Sequence, residues 1–445
     1  MKRANVHSMP GRSSVTLGLD VGSTNLKAVA LSPDGSVVAR AQRPTPRDPA
    51  DLTIDPADLF NALEDMALEC CGPDFTIQAA CAAGVGEDGI LIDQQGQPLG
   101  RALAWFDPRR NELIRRLEPH LAAASGLGVP TDAARTLVGW LWAREQTAAA
   151  GAASWIALAD FASSRWAHQA FISDTLAART AAWTVDGRSW LVDRVELTLG
   201  STRLLPPVVS AGQIIGPARS PRLRGAGVLM ENTVIVAGGH DHPIAGWGVS
   251  CRHPGAILDS MGTAEVVVAQ SAEPCPARSA DVDISPGIRA SGCTLLRVEE
   301  LDRNIRWASQ DPQVARALRQ LIDGTREPDE FVASTCFLRG RPGGLPPSYA
   351  ADAPSAPESR AAAVLGALAR AGAEAVEAVS SRLHRQPVVY AAGGWTRSPG
   401  WIGIKQSVTD IRLRVITEPE VTAVGAALLA ASAIGWDTAV ANALL

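Results

Sequence analysis

The sequence predicts an α/β protein whose architecture occurs twice, with a cleft between the halves. Three observations carry that expectation. Its 445 residues exceed one ordinary core. A strand-turn-strand unit with Gly and Thr at its turn occurs in each half of the chain. Strands with small residues and Ala-rich helical stretches follow each unit.

The first unit is Val15 to Asp20, the turn around Gly22-Ser23-Thr24, and Leu26 to Leu31; a Pro33-Asp34-Gly35 turn leads into Val37 to Ala39. These runs read as a three-stranded antiparallel meander over residues 15–42. Apolar side chains at Leu59, Phe60, Leu63, Met66 and Ala67 have helical spacing. Ala79 to Val85 is a strand of small residues, continued by Ile90 to Ile92. In the second half Val234 to Ala237 is a strand running into Gly238-Gly239-His240-Asp241. Ala256 to Ser260 and Val266 to Val268 flank Gly262-Thr263. A helix from Arg360 to Leu383, a strand Val388 to Ala391 ending in Gly393-Gly394, a strand Leu413 to Ile416 and a helix Ala423 to Ala433 complete the echo. The Pro-rich stretches 204–224 and 339–357 read as loops.

Hydrophobic residues at 46% and charged residues at 20% give a globular balance. The formal net charge of -5 argues against a general attraction to nucleic acid. Seven scattered cysteines with no C-x-x-C pair point to reduced thiols, not to zinc or disulfides. The first residues lack an apolar core for a secretory signal, and no stretch suits a bilayer, so the cytoplasm is the expected compartment.

The chemistry concentrates at the turns. Asp20-Val21-Gly22-Ser23-Thr24 at a strand end can set backbone amides and hydroxyls against phosphate oxygens, with Asp20 able to hold Mg²⁺ through water and Lys27 supplying positive charge. Gly262-Thr263 is a second such turn, and Gly393-Gly394 lets a flat ligand approach the backbone. No P-loop pattern is present. His240-Asp241-His242 has a metal-ligand spacing, but zinc needs three or four ligands and no further one is evident except His253.

Segments 17–31, 236–267 and 388–430, together with 82–93 and 102–110, resemble the FGGY family of carbohydrate kinases in order and spacing. That resemblance spans roughly residues 15 to 435. It implies two ribonuclease H-like domains of the actin and hexokinase type: an acceptor-binding domain over 15–237 and a nucleotide-binding domain over 238–445, after a disordered tail, 1–14. It implies ATP and Mg²⁺ as cofactors, a sugar or polyol as acceptor, and ketopentoses and short polyols as first candidates. Asp241 matches the general base and Asp20 the Mg²⁺-linked aspartate. Gly22, Ser23, Thr24 and Lys27 match the first phosphate turn, Gly262 and Thr263 the second. Gly393, Gly394 and Ser398 match the adenosine segment, and Glu87, Asp107 and His242 the acceptor side. A salt bridge from Glu87 to Arg109 or Arg110 is the competing role for that carboxylate.

Several positions depart from the family pattern. Trp395 stands where a third glycine is usual, residues 135–142 lack the lysine of the first signature, residues 350–360 replace the second, and Glu265 brings a negative charge behind the second turn. A ligand-binding sensor of the same fold, or an ATPase of the actin and chaperone type, are the alternative functions. Retention of Asp241 disfavours the first, and the acceptor-side carboxylates disfavour the second. A homodimer is the default assembly.

Overall fold

The computed structural model describes residues 11–444, apart from 275–276, 290, 341–345, 384–387 and 410. The first sheet contains β1 (Ser13–Val21), β2 (Asn25–Leu31), β3 (Val37–Pro44), β4 (Phe75–Gly84), β5 (Ile214–Pro217) and β6 (Leu229–His240). The second contains β7 (Ile257–Met261), β8 (Ala264–Ser271), β9 (Asp283–Pro286), β10 (Cys293–Glu300), β11 (Val389–Ala392) and β12 (Leu413–Val415). Their orders are β5-β6-β4-β1-β2-β3 and β9-β10-β8-β7-β11-β12. Setting aside the edge strands β5 and β9, the two are the same sheet: an antiparallel three-stranded meander whose first strand continues into two parallel neighbours. This is the duplicated architecture that the strand-turn-strand pattern predicts.

Two expected limits shift. The first strand already starts at Ser13, inside the stretch read as a tail, while residues 1–10 lie outside the described part. Strand β6 runs to His240, so a boundary at 237/238 cuts through it.

Helix α1 (Pro56–Cys71) shows how local signals fix an element. The Asp55 side chain accepts from the Ala57 amide, Pro56 occupies the first turn where no donor is needed, and Gly72 ends the helix. Leu59, Leu63 and Met66 are fully buried, each worth roughly 1.5–3 kcal/mol of transfer free energy. Strand β4 is buried on both faces, which is why it uses Ala79, Ala80, Ala82 and Ala83. One face meets α2 (Leu158–Ala167); the other meets the C-terminal helix described next.

Helix α3 (Asp241–Arg252) follows β6 and packs on β8. Helices α4 (Pro357–Ser380) and α5 (Pro399–Val408) cover the other side of the second sheet, and α6 (Val421–Ala433) returns to lie on β1 and β4. Thr16 Oγ1 donates to the Ala427 carbonyl at 2.9 Å, fixing α6 to β1. Helices α3 and α6 meet backbone to backbone: a Cβ added to Gly248 would lie 2.8 Å from Gly425 Cα. This pair joins the two sheets. Among the described residues no helix is long and apolar enough to cross a membrane.

Candidate active site

Strands β1, β4 and β6 are adjacent and parallel, so their carboxyl ends open at one edge, where α/β sheets commonly bind ligands. Asp20 sits at the end of β1, Glu87 just beyond β4, and Asp241 at the first residue after β6. The β1–β2 turn holds Gly22, Ser23 and Thr24, and Lys27 pairs with Asp20 across the hairpin.

Four charges meet here. Lys27 Nζ lies 3.8 Å from Asp20 and 2.8 Å from Glu420 Oε2. Burial pushes the Asp20 carboxyl up to about 7; Lys27 opposes that, while Asp241 and Glu420 add to it. Burial works against the Lys27 charge, yet Asp20 and Glu420 raise its pKa overall. Asp20 is thus a buried carboxylate with an incomplete set of positive neighbours. A single hard oxygen donor of this kind suits Mg²⁺, which keeps several waters and takes further ligands from substrate phosphates. Among the described residues no group of three or more His, Cys, Asp or Glu is placed to hold a metal by itself.

Asp241 opens α3, where the strand ends, so His240 and His242 do not share the face of one strand. Their rings meet edge to face at 5.6 Å. Asp241 Oδ1 accepts the His242 amide at 2.7 Å, with His240 Nε2 standing 3.2 Å and His242 Nε2 3.7 Å from it. Burial, followed by the nearby Arg179, holds His240 well below its usual pKa, so its imidazole is neutral. Oδ2 of Asp241 accepts no hydrogen bond among the described residues.

Glu87 is buried, and its partners differ from those expected. Its Oε1 receives Arg179 Nη2 at 2.6 Å and Arg135 Nη1 at 3.2 Å. Arg109 is instead consumed by Asp107, through Nε at 2.9 Å and Nη2 at 2.7 Å. Arg110, also buried, donates to the carbonyls of Ala104, Leu103, Arg135 and Glu87. Asp107 therefore has both oxygens engaged within its own loop; despite burial, Arg109 holds its carboxyl below the usual range. Beside Glu87, burial raises the Asp88 carboxyl to about 6 against the pull of Arg110 and Arg47.

In the second half, Gly262 and Thr263 form the β7–β8 turn. Gly393 has φ +96, and a side chain there would collide with the Met261 backbone, so the Gly393-Gly394 segment is pressed against that turn. Ser398 caps α5 without a side-chain hydrogen bond. Trp395, half-buried, packs edge-on against Trp401 at 5.7 Å. Glu265 is directed away from the turn: it is buried and paired with Lys405, which also holds Asp259 at 2.8 Å. Burial and Asp259 push Glu265 up to about 8, whereas Lys405, in spite of its own burial, is held charged by the two acids. Sequence reasoning missed Arg47, Arg135, Arg179, Glu420 and Lys405. None lies in a motif with a charge-dependent spacing, although Lys405 and Glu420 both fall in segment 388–430 that the resemblance covers.

Comparison with known proteins bears on these placements. Residues 15–248 match the family model of the "FGGY family of carbohydrate kinases, N-terminal domain". The chain is 25% identical to an L-fuculokinase of Escherichia coli strain K12, over 96% of this chain and 92% of that one. It is 26% identical to a xylulose kinase of Streptomyces coelicolor over 71% and 68%. Among solved structures, xylulose kinase from Rhodospirillum rubrum superposes with a TM-score of 0.81 at 19% identity, covering 96% of this chain and 92% of that one. Plasmodium falciparum glycerol kinase with ADP gives 0.79 at 16%, over 96% and 91%.

Proposed function

The chain belongs to the FGGY family of carbohydrate kinases, and on that premise we propose that it transfers the terminal phosphoryl group of ATP in line to a hydroxyl of an uncharged sugar or polyol, with Asp241 as general base. The observation that supports this best is the convergence of Asp20, Lys27, Asp241 and Glu420 at the open end of β1, β4 and β6. The domain division goes with it, acceptor side first and nucleotide side second, its boundary moved to the end of β6.

Phosphoryl transfer demands positioning and charge stabilisation more than covalent chemistry. With Oδ1 engaged by the His242 amide and flanked by two imidazoles, Asp241 keeps Oδ2 for the acceptor hydroxyl, whose proton it takes as the O–P bond forms. The neutral His240 orients the carboxylate without neutralising it. Glu87 is arranged likewise: both guanidiniums act on Oε1, leaving Oε2 for hydroxyls of the acceptor. Lys27 supplies positive charge near the transferred group, and Asp20 would hold Mg²⁺. That ion, when bound, neutralises charge on the phosphate oxygens.

The test is ADP formation over a panel of acceptors, starting with those that name the relatives: L-fuculose, xylulose and glycerol. Acceptor-dependent turnover is expected, with Asp241→Asn lowering kcat by about 10² to 10⁴-fold while nucleotide binding persists. ATP hydrolysis indifferent to every acceptor, or near-normal turnover in the variant, would refute the reading.

A further inference from the structure

Beyond the end of β3 the chain passes behind the first turn as Thr45-Pro46-Arg47, and three consecutive carbonyls of the turn are tied to it. Thr45 Oγ1 donates to the Gly22 carbonyl at 2.7 Å, Arg47 Nε to that of Ser23 at 2.9 Å, and the Thr45 amide to that of Thr24 at 2.9 Å. The amides of Gly22, Ser23 and Thr24, by contrast, donate to no protein acceptor among the described residues. A turn whose carbonyls are drawn to one side presents its amides on the other, as in an anion-binding nest.

The tether is itself fixed. Thr45 is buried, and Pro46 restricts the backbone between the two donors. Arg47 has its remaining nitrogens committed: Nη1 to the Leu52 carbonyl at 3.2 Å and Nη2 toward Asp88 at 3.5 Å. Its guanidinium also lies 4.9 Å from the centre of the Phe106 ring. The neighbouring Trp105 closes the circuit, donating its indole N–H to Ser23 Oγ at 2.8 Å. With these donors occupied, Arg47 acts on the turn and not as a phosphate ligand.

We infer that Thr45 and Arg47 are positioning residues, which hold the first phosphate turn in its phosphate-receiving shape and, through Arg47, join it to the acceptor-side loop bearing Trp105 and Phe106. This deepens the kinase reading and rests on it for the identity of the ligand.

The experiment is calorimetric titration of each folded variant with a non-hydrolysable ATP analogue and Mg²⁺, alongside steady-state kinetics of the full chain. Arg47→Met is expected to weaken the analogue by about tenfold and raise the KM for ATP in parallel; Thr45→Val should do so by roughly threefold to tenfold, and Thr45→Ser should restore wild-type values. Arg43→Met, on the same stretch but in a half-exposed pair with Glu69 at 3.0 Å, should leave both at wild type. Wild-type affinity in Thr45→Val overturns the inference, as does equal weakening in Arg43→Met or Thr45→Ser. Should Arg47→Met not fold, the Thr45 pair decides alone. Analogue binding by a wild-type chain that phosphorylates no acceptor would defeat the kinase reading, and the same titrations would still judge the tether.

Discussion

The two hairpins occupy equivalent places in equivalent sheets, yet they meet negative charge in opposite ways. Behind the first turn, Asp20 has its cation at 3.8 Å, and that cation is shared with Glu420. Behind the second, Lys405 sits between Asp259 and Glu265 in direct contact with both, and all three are buried. The first arrangement leaves electrostatic demand that a ligand can meet. The second draws both acids onto one buried cation in direct contact and ties β7, β8 and α5 together. One scaffold thus yields a reactive half and a braced half, and the placement of a single lysine separates them.

The largest expected effect breaks the brace. Lys405→Met strands two carboxylates in the interior and should destabilise the protein by about 3–5 kcal/mol. Thermal unfolding would register this as a drop in Tm, with the acceptor KM of the surviving folded fraction unchanged. A Tm at the wild-type value would mean that the triad braces nothing.

A smaller effect is expected on the open side. Glu87→Gln keeps the shape of the side chain but weakens the charge-assisted bonds that Oε2 offers, so the acceptor KM should rise about tenfold. The KM for ATP should stay put. If only the melting temperature falls, the carboxylate serves Arg135 and Arg179 alone.

A third effect sharpens the contrast from another direction. Asp160 is fully buried with no cationic partner among the described residues; it accepts the Ser173 amide at 3.0 Å, and Ser173 Oγ and Thr175 Oγ1 continue the contact to the His240 amide. Burial raises its carboxyl to about 7, against the Ser173 hydrogen bond and with a contribution from Asp174. The folded pKa lies above the unfolded one, so the stability linked to its proton is full below about pH 4 and is lost as pH rises through about 7. Asp160→Asn does not ionise. The variant should therefore gain on wild type over that range, by about 1–3 kcal/mol at pH 8, in denaturant titrations run at both ends. A pH-independent difference would remove Asp160 from the account.

Much of the fold was legible because its signals are local. Pro33-Asp34-Gly35 announces the β2–β3 turn, the helical spacing of Leu59, Leu63 and Met66 announces α1, and the small residues from Ala79 onward announce β4. The turns of the candidate site were legible for the same reason, since glycine at a strand end marks a backbone constraint. Charge partners were not. Arg179 reaches Glu87 across 92 positions of sequence and Lys405 reaches Glu265 across 140. Nothing in the spacing of an arginine or lysine says which distant carboxylate it will face. The competing role for Glu87, a salt bridge, named Arg109 or Arg110 and so missed Arg135 and Arg179, because Asp107 and a row of carbonyls claim the nearer side chains first.

The contact of Gly248 with Gly425 bears on how the halves can move. Helices that interlock through side chains turn past one another only by unseating each ridge from its groove. Between α3 and α6 there is no ridge at that point, only main chain against main chain, with the Ile244 carbonyl and the Leu428 side chain beside it. That point can serve as a pivot, since a small turn of one helix on the other unseats no side chain there.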